Sequence, residues 1–256
     1  MQQDINETAL HQFIKECEQE FKEYCGIETF PQYQIVTKEM TLEKAQNEGF
    51  DALAAAFYDV NTGGHRLDIW SKAADPNLNM KYLVFHELTH ILDTETFSQR
   101  DKSKNVALKG YTEYHAAQND FMKLLEVTHI ADDVSFDMNK IFVTAEGVKS
   151  AADLVKTPHC HAVSMIERDD FPANIEALSI TLGLIFIYYG RRSICEMYAT
   201  DFGDSIDNTV IAKFIPSETL NALDEFMSGW FDSAKVEAIN EFYLEMVITL
   251  AKQYGF

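Results

Sequence analysis

The sequence predicts an α+β fold in which a short sheet with flanking helices precedes a mostly helical second half. Two β-rich runs enclose the turn Asn61-Thr62-Gly63-Gly64, which is typical of a hairpin. Apolar residues recur at helical spacing before and after this hairpin. From about residue 173 onwards the patterns are helical. Together these three observations favour an α+β class.

The individual elements follow from local periodicity and turn signals. Leu10, Ile14 and Phe21 lie at helical spacing, and YQIVT reads as a short strand. Asn79 is expected to cap the helix that follows the hairpin. The predicted strands are Tyr33–Thr37, Ala55–Val60, His65–Trp70 and Ile141–Thr144. The predicted helices are Asn6–Tyr24, Asn79–Asp93, Tyr111–Leu125, 173–190, 216–229 and 234–253, with a polar segment separating the second from the third.

The acidic segment DDVSFD at residues 132–137 predicts a seam between two lobes. We expect residues 1–130 to form the lobe that carries the chemistry. Residues 131–256 are expected to form a mainly helical accessory lobe that packs on it and offers a surface for a protein partner.

Charge restricts the possible partners. The 256 residues include 41 Asp and Glu against 21 Lys and Arg, which gives a formal net charge of −20. Such a chain repels phosphates unless basic residues are concentrated in one patch, and Lys102, Lys104 and the pair Arg191–Arg192 do not form one. We therefore expect neither a nucleic-acid partner nor an anionic membrane. With 46% hydrophobic residues, the chain is expected to fold around a proper core.

The sequence predicts a cytoplasmic protein. Its four cysteines are far apart and form no CxxC pair, so we expect reduced thiols. The N-terminus lacks the basic and apolar regions of a secretory signal. The apolar run Ala177–Tyr189 is short for a membrane span and is closely bounded by Glu176 and Arg191, so a buried helix is expected.

The segment Lys81–Asp93 contains the pattern HExxH. His86 and His90 lie four residues apart, so on a helix both imidazoles can reach one metal ion. Zinc in catalytic sites is held by three protein ligands and keeps one position open for water. Glu87 lies beside these ligands, where it can accept a proton from that water. The apolar residues around Leu88 occupy the opposite face and are expected to pack on a core.

Zinc requires a third protein ligand. The extended pattern HExxHxxGxxH fails, because Asp93 replaces its glycine and Thr96 its last histidine. Asp93 would lie a further turn from the metal, so it is suited either to a bond with His90 or to no role at all. In the next helix, Glu113 and His115 cannot both face one ion, since they are two residues apart. Glu113 lies on the flank of the packed stripe and His115 on a face that looks solvated, so Glu113 is favoured. The stripe consists of Tyr114, Ala117, Phe121 and Leu124.

These residues resemble the gluzincin class of zinc metallopeptidases, in which HExxH is followed by a glutamate on a second helix. In particular they are similar to the small intracellular HExxH proteins of the ImmA/IrrE-like group. The similarity covers about residues 55–125 and rests on His86, Glu87, His90 and Glu113. It implies a zincin-like core: a short sheet, an active-site helix and a glutamate helix, with zinc between the helices.

Three further features leave alternatives open. In the zincin pattern an edge strand binds extended substrate, and His65–Trp70 is placed to be that strand or an ordinary hairpin arm. His159 and His161 are read mainly as part of a polar turn, against a second metal site or an oxyanion donor. Tyr111 and Tyr114 are read mainly as core residues, against the same donor role.

The sequence as a whole predicts a zinc-dependent peptidase that acts on a peptide or protein substrate. His86, His90 and Glu113 hold Zn²⁺, and Glu87 is the general base for attack of water on the peptide carbonyl. The alternative is a regulatory or binding protein that keeps the zincin scaffold with a structural or weakly active zinc site.

Overall fold

The structure is a computed structural model that describes residues 2–39, 53–203 and 207–256. Its chain forms two compact units whose segments alternate along the sequence. The first comprises Met1–Lys102, Asn119–Val134 and Ile141–Lys149, and the second comprises Ser103–Gln118, Ser135–Lys140 and Ser150–Phe256. The boundary expected between residues 130 and 131 stays a prediction.

The described residues form helices and short strands joined by turns and loops. This agrees with a mixed α and β class. The first helix and the first three strands are confirmed with ends within four residues of those predicted. The strands are β1 (Tyr33–Lys38), β2 (Ala54–Asp59), β3 (Gly64–Trp70), β4 (Ile141–Thr144) and β5 (Gly147–Ser150). The helices are α1 (Gln2–Cys25), α2 (Lys81–Asp93), α3 (Lys102–Leu124), α4 (Ala151–Ile166), α5 (Ile175–Tyr198), α6 (Ile211–Phe214), α7 (Ser217–Phe226) and α8 (Val236–Tyr254).

The main sheet has the strand order β1-β3-β2, with β1 parallel and β2 antiparallel to β3. The prediction that β3 is an edge strand is therefore wrong. Both of its sides are paired, so its backbone cannot accept a peptide. Among the strands that the structure describes, β1 and β2 form the edges. Leu67 and Ile69 of β3 are fully buried, as expected for core residues.

Helix α2 begins at Lys81 rather than at Asn79. Its cap residue is Met80, which makes no capping side-chain bond. The predicted cap, Asn79, instead donates from its side-chain amide to the carbonyl of Val143, 2.9 Å away. Asn79, which was predicted to cap α2, therefore binds the backbone of strand β4 instead.

Helix α1 packs on α2 in the first unit. Phe21 of α1 contacts Phe85 of α2 edge to face, with ring centroids 5.2 Å apart. Nearby, the carboxylate of Glu20 accepts hydrogen bonds from Lys81 and from Lys123 of α3. These contacts fix the base of α2 against two helices.

Helix α3 begins nine residues before its predicted start. The segment after α2 forms one π-helical turn at Thr94–Ser98 and reverses at Gln99 and Arg100, which have positive φ values of 48° and 65°. The polar residues from Lys102 onwards then form helix, because Ala107 and Leu108 are buried while the lysines face solvent. The sequence had predicted only a polar segment between the two helices here.

The second unit confirms the helical character of the second half. The apolar run Ala177–Tyr189 lies inside α5, whose cap residue Asn174 accepts a hydrogen bond from the Ala177 amide. Most of that run is buried, as expected. Across residues 2–39, 53–203 and 207–256, none of the helices combines the length and apolar character that crossing a membrane requires.

Two glycines bring other helices of the second unit close to α3. A Cβ atom at Gly190 of α5 would lie 2.3 Å from the carbonyl oxygen of Tyr114 and 2.8 Å from Cβ of Ala117. At Gly110 of α3 it would lie 2.4 Å from the ring of Tyr243 on α8. Only glycine permits these approaches.

Candidate metal centre

The two histidines of the HExxH pattern lie on one face of α2. Their ring centroids are 4.7 Å apart, with the rings nearly perpendicular. His86 is 3% exposed and His90 is partly exposed. Glu87 and Thr89 are buried as well, so α2 is covered on its ligand face and not only on its apolar face. The face of α2 that carries the two histidines is therefore mostly enclosed.

Glu113 of α3 completes a group of three possible ligands. One ligand atom from each of His86, His90 and Glu113 lies within 4.8 Å of the other two. The structure thus brings together the three side chains that the sequence predicts as ligands. Two imidazoles and one carboxylate are a donor set that suits zinc and several other transition metals.

Asp120 orients one of these ligands and was not singled out from the sequence. Its Oδ2 lies 3.1 Å from Nδ1 of His86, and Asp120 is fully buried. Because a carboxylate accepts, His86 donates from Nδ1 and keeps the lone pair of Nε2 for a metal. Asp120 lies two helical turns after Glu113 on the same face of α3, which is the signal that could have identified it.

A buried chain of hydrogen bonds holds α3 against α2 beside the motif. Tyr24 donates to the side chain of Asn119 (3.1 Å), Asn119 donates to Thr89 (3.0 Å), and Thr89 donates to the carbonyl of Phe85 (2.8 Å). Asn119 is fully buried although it lies on the same helix face as His115, which was predicted to be solvated, so that prediction is wrong. Buried polar groups require partners, and here those partners fix the spacing of two helices.

Glu87 contacts the edge of the sheet. Its Oε2 accepts a hydrogen bond from the backbone amide of Ala56 in β2, at 2.6 Å. The carboxylate is 7% exposed, so this bond supplies part of the polar contact that burial requires. The residue predicted as the general base is thereby placed beside β2 rather than β3.

His115 and Asp93, the alternatives to Glu113, have other surroundings. The ring of His115 stacks on Phe231, with centroids 3.9 Å apart and planes 12° apart. Its helical neighbours Gln118 and Met122 are fully buried. This face of α3 is therefore buried and not solvated, contrary to the prediction. Asp93 is 1% exposed. Burial raises the pKa of the Cys25 thiol to about 12, and the charge of Asp93 adds to this effect.

The two tyrosines of α3 hold a loop of the second unit. Tyr111 accepts from the amide of Asp232 at 2.9 Å, and Tyr114 donates to the carbonyl of Gly229. Burial raises the pKa of Tyr114 well above its usual value. These contacts agree with the interpretation of both tyrosines as core residues.

His159 and His161 lie inside helix α4, and not in the polar turn that was predicted. Ser150 and Asp153 form a capping box that starts this helix before them. His159 is buried with its Nε2 3.0 Å from the side-chain oxygen of Asn208, whereas His161 is exposed. Residues two apart on a helix face different directions, so the two cannot share one ion.

Comparison with known proteins gives no relative for this chain. No family model, no curated protein and no solved structure matches it. The functional conclusion therefore depends on the residues of the site. Those residues are a histidine pair on α2, a glutamate on α3 and a buried aspartate that orients one histidine, and together they could hold a metal ion.

Proposed function

We propose that the protein is a zinc-dependent peptide-bond hydrolase of the gluzincin type. The observation that carries the proposal is the group formed by His86, His90 and Glu113 next to Glu87. Asp120 supports it, since ligand histidines of zinc sites commonly donate their second ring nitrogen to a carboxylate. A zinc ion held by these three ligands would supply Lewis acidity and lower the pKa of water at its open position.

In this proposal Glu87 acts as the general base. It follows His86 directly in α2, so it lies beside the ligands without being one of them. Its carboxylate, fixed by the amide of Ala56, accepts the proton of the attacking water and later transfers it to the leaving amine. His86, oriented by Asp120, keeps its Nε2 directed to the metal position.

Strand β2 is the proposed binding edge for an extended peptide. The amide of Trp70 donates to the carbonyl of Leu53, so the backbone groups of Leu53 face β3. Alternation then directs the groups of Ala54, Ala56 and Tyr58 outwards, and the Ala56 amide does point away, to Glu87. A peptide added along this edge would lie beside the base.

One observation favours the alternative of a binding or regulatory protein on the same scaffold. The bond from Ala56 gives Glu87 a structural use, which a site without hydrolytic activity would also retain. The two functions differ in what removal of the carboxylate charge does. A base is lost in Glu87→Gln, whereas a hydrogen-bond acceptor for Ala56 is kept.

The test therefore compares the wild type with Glu87→Gln. Both proteins should contain one zinc ion by elemental analysis and should unfold at similar temperatures. When each is incubated with a random peptide library, mass spectrometry should show cleavage that falls by roughly 10² to 10⁴ in the variant. Equal cleavage by both proteins would exclude Glu87 as the base. Zinc in both without cleavage by either would favour the binding protein, and wild-type protein without zinc would reject both.

A further inference from the structure

Asn119 is the centre of a chain of hydrogen bonds that joins three helices of the first unit. Its side-chain amide on α3 accepts a hydrogen bond from Tyr24 of α1 at 3.1 Å and donates one to Thr89 of α2 at 3.0 Å. Asn119 and Thr89 are fully buried, and Tyr24 is 1% exposed. The polar groups of this chain therefore depend on one another and not on solvent.

The direction of these bonds is fixed by Thr89. Its hydroxyl has one proton, which it donates to the carbonyl of Phe85 at 2.8 Å. Thr89 can therefore only accept from Asn119, so Nδ2 of that amide faces α2 and Oδ1 faces α1. Tyr24 then donates to Oδ1, and its ring packs on Phe85 with centroids 5.8 Å apart. The amide of Asn119 thus has a single favourable orientation.

Asp120, the residue after Asn119, makes a second contact between α3 and α2. Its Oδ2 lies 3.1 Å from Nδ1 of His86. The two partners on α2, His86 and Thr89, are three residues apart, so they lie on neighbouring turns of one face. The two residues on α3 are consecutive, so their side chains leave the helix about 100° apart. A rotation of α3 that takes Asp120 away from its histidine therefore also breaks the bond from Asn119.

We propose that Asn119 is a positioning residue of the candidate metal centre. It holds α3 at one rotation about its axis and thereby keeps the carboxylate of Asp120 on Nδ1 of His86, which leaves Nε2 for the metal. Glu113 lies two turns before Asp120 on the same face of α3, so the same rotation sets its direction. Tyr24 makes α1 part of this support. The inference rests on the proposed metal site.

The test removes the two partners of Asn119 one at a time in the full chain. Thr89→Val keeps the shape of the side chain and removes the hydroxyl that accepts from Asn119, and Tyr24→Phe removes the donor on the other side. Zn²⁺ affinity is measured by competition with a chromophoric chelator, under conditions where circular dichroism shows each protein to be folded. We expect each variant to bind Zn²⁺ about 10-fold more weakly. Thr89→Ser, which keeps the hydroxyl, should bind Zn²⁺ as the wild type does.

The double variant shows whether both changes act through Asn119. Two changes that act through one shared residue are not additive. The loss of Zn²⁺ affinity in Tyr24→Phe/Thr89→Val should therefore be smaller than the product of the two single losses. A loss equal to that product would overturn Asn119 as the common link. The absorption bands of Co²⁺ bound in place of Zn²⁺ report the geometry of the ligands, and they should shift in both single variants.

Thr144→Val is the matched control. Thr144 is a buried threonine of the first unit, in the β4–β5 hairpin. Its hydroxyl donates to the carbonyl of Gly147 at 2.8 Å and accepts from the amide of Glu146 at 3.2 Å, so it makes the same two kinds of hydrogen bond as Thr89. Thr144→Val should unfold at a lower temperature than the wild type, but its Zn²⁺ affinity and Co²⁺ spectrum should be unchanged.

The outcomes separate this inference from the proposed function. Wild-type Zn²⁺ affinity in Thr89→Val and Tyr24→Phe would overturn the role of Asn119 and leave the metal site standing. Equal weakening in Thr144→Val would also overturn it, because any loss of stability in the first unit would then weaken binding. Absence of Zn²⁺ binding by the wild type would overturn the metal site itself, and the inference with it. If Thr89→Val fails to fold, Tyr24→Phe decides, and unchanged affinity in that variant overturns the inference.

Discussion

Nδ1 of His86 on α2 lies 3.1 Å from Oδ2 of Asp120 on α3. Helix α3 also carries Glu113. One face of α3 therefore supplies both a candidate metal ligand and the carboxylate that contacts a second candidate ligand. Asp120 is fully buried, so its polar contacts come from the protein and not from solvent. The relation makes α3 as important for the candidate metal centre as the HExxH helix.

Asp120→Asn should weaken Zn²⁺ binding by about 10- to 100-fold. Asparagine keeps the size of the side chain but loses the charge that fixes the Nδ1–H tautomer of His86. The affinity is measured by chelator competition. Asp132→Asn is the control, because Asp132 is exposed and its carboxylate accepts hydrogen bonds within its own turn, from Thr128 and from the amide of His129. A drop of the same size in both variants would show a general effect of charge.

Glu113→Ala should abolish stoichiometric zinc, whereas His115→Ala should leave it nearly unchanged. The reason is that Glu113 lies with the two histidines while His115 stacks on Phe231. Zinc content after purification without chelator provides the measurement. The reverse result would show that α3 presents His115, and not Glu113, to the metal.

Gly190→Ala should lower the free energy of unfolding by about 1–3 kcal/mol. The added methyl group would lie 2.3 Å from the backbone oxygen of Tyr114, which no side-chain rotation can relieve. Gly183→Ala is the matched control on the same helix, because its nearest atoms are 3.8 Å away. Alanine there should stabilise the helix by about 0.5–1 kcal/mol. Urea unfolding of both variants tests the pair, and similar values for the two would contradict the close packing of α5 on α3.

Glu20→Gln should destabilise the first unit at neutral pH but not in acid. Burial tends to raise the pKa of Glu20, but hydrogen bonds from Lys123 and Lys81 outweigh it and hold that pKa below the usual range. A lowered pKa means stability that is present above about pH 4.3 and is lost as the pH falls through the folded-state value. Glu20 and its two lysine partners are partly exposed, so solvent screening limits the effect on the free energy of unfolding to about 0.2–1 kcal/mol.

The measurement is the urea midpoint of the wild type and of Glu20→Gln at pH 7 and at successively lower pH. The difference should shrink as the pH falls. Glu23→Gln is the control, because Glu23 is an exposed residue of the same helix whose carboxylate accepts a hydrogen bond from the neutral side chain of Gln19. A difference that is constant with pH would show that the charge of Glu20 contributes nothing.

The parts of the fold that the sequence predicts are those set by neighbouring residues. Spacing alone places His86 and His90 on one helix face, and the Asn61–Gly64 turn places β2 beside β3. Helical phase likewise separates Glu113 from His115. These inferences use contacts within four residues or across one tight turn, where backbone geometry leaves few choices.

The parts that sequence reasoning missed depend on pairings between distant segments. The hairpin does not determine which of its two strands pairs with β1, so the sequence left β3 either as an edge strand or as an ordinary hairpin arm, whereas it lies between β1 and β2. Asp120 meets His86 across 34 residues, and which face of α3 meets α2 is fixed by tertiary packing. Composition also misled at Gln118 and Asn119, polar residues that are fully buried because other helices supply their partners.

The interval between Glu113 and Asp120 restricts where residues can be inserted into or deleted from this chain. Insertion of one residue between them would rotate one relative to the other by about 100°, and a ligand or its orienting group would leave the site. Changes of seven residues would nearly restore the angle but would shift the two by about 10 Å along the helix. Homologous sequences that keep the site should therefore keep the interval from Glu113 to Asp120 constant. Any differences in length should lie between α2 and α3 or after Leu124.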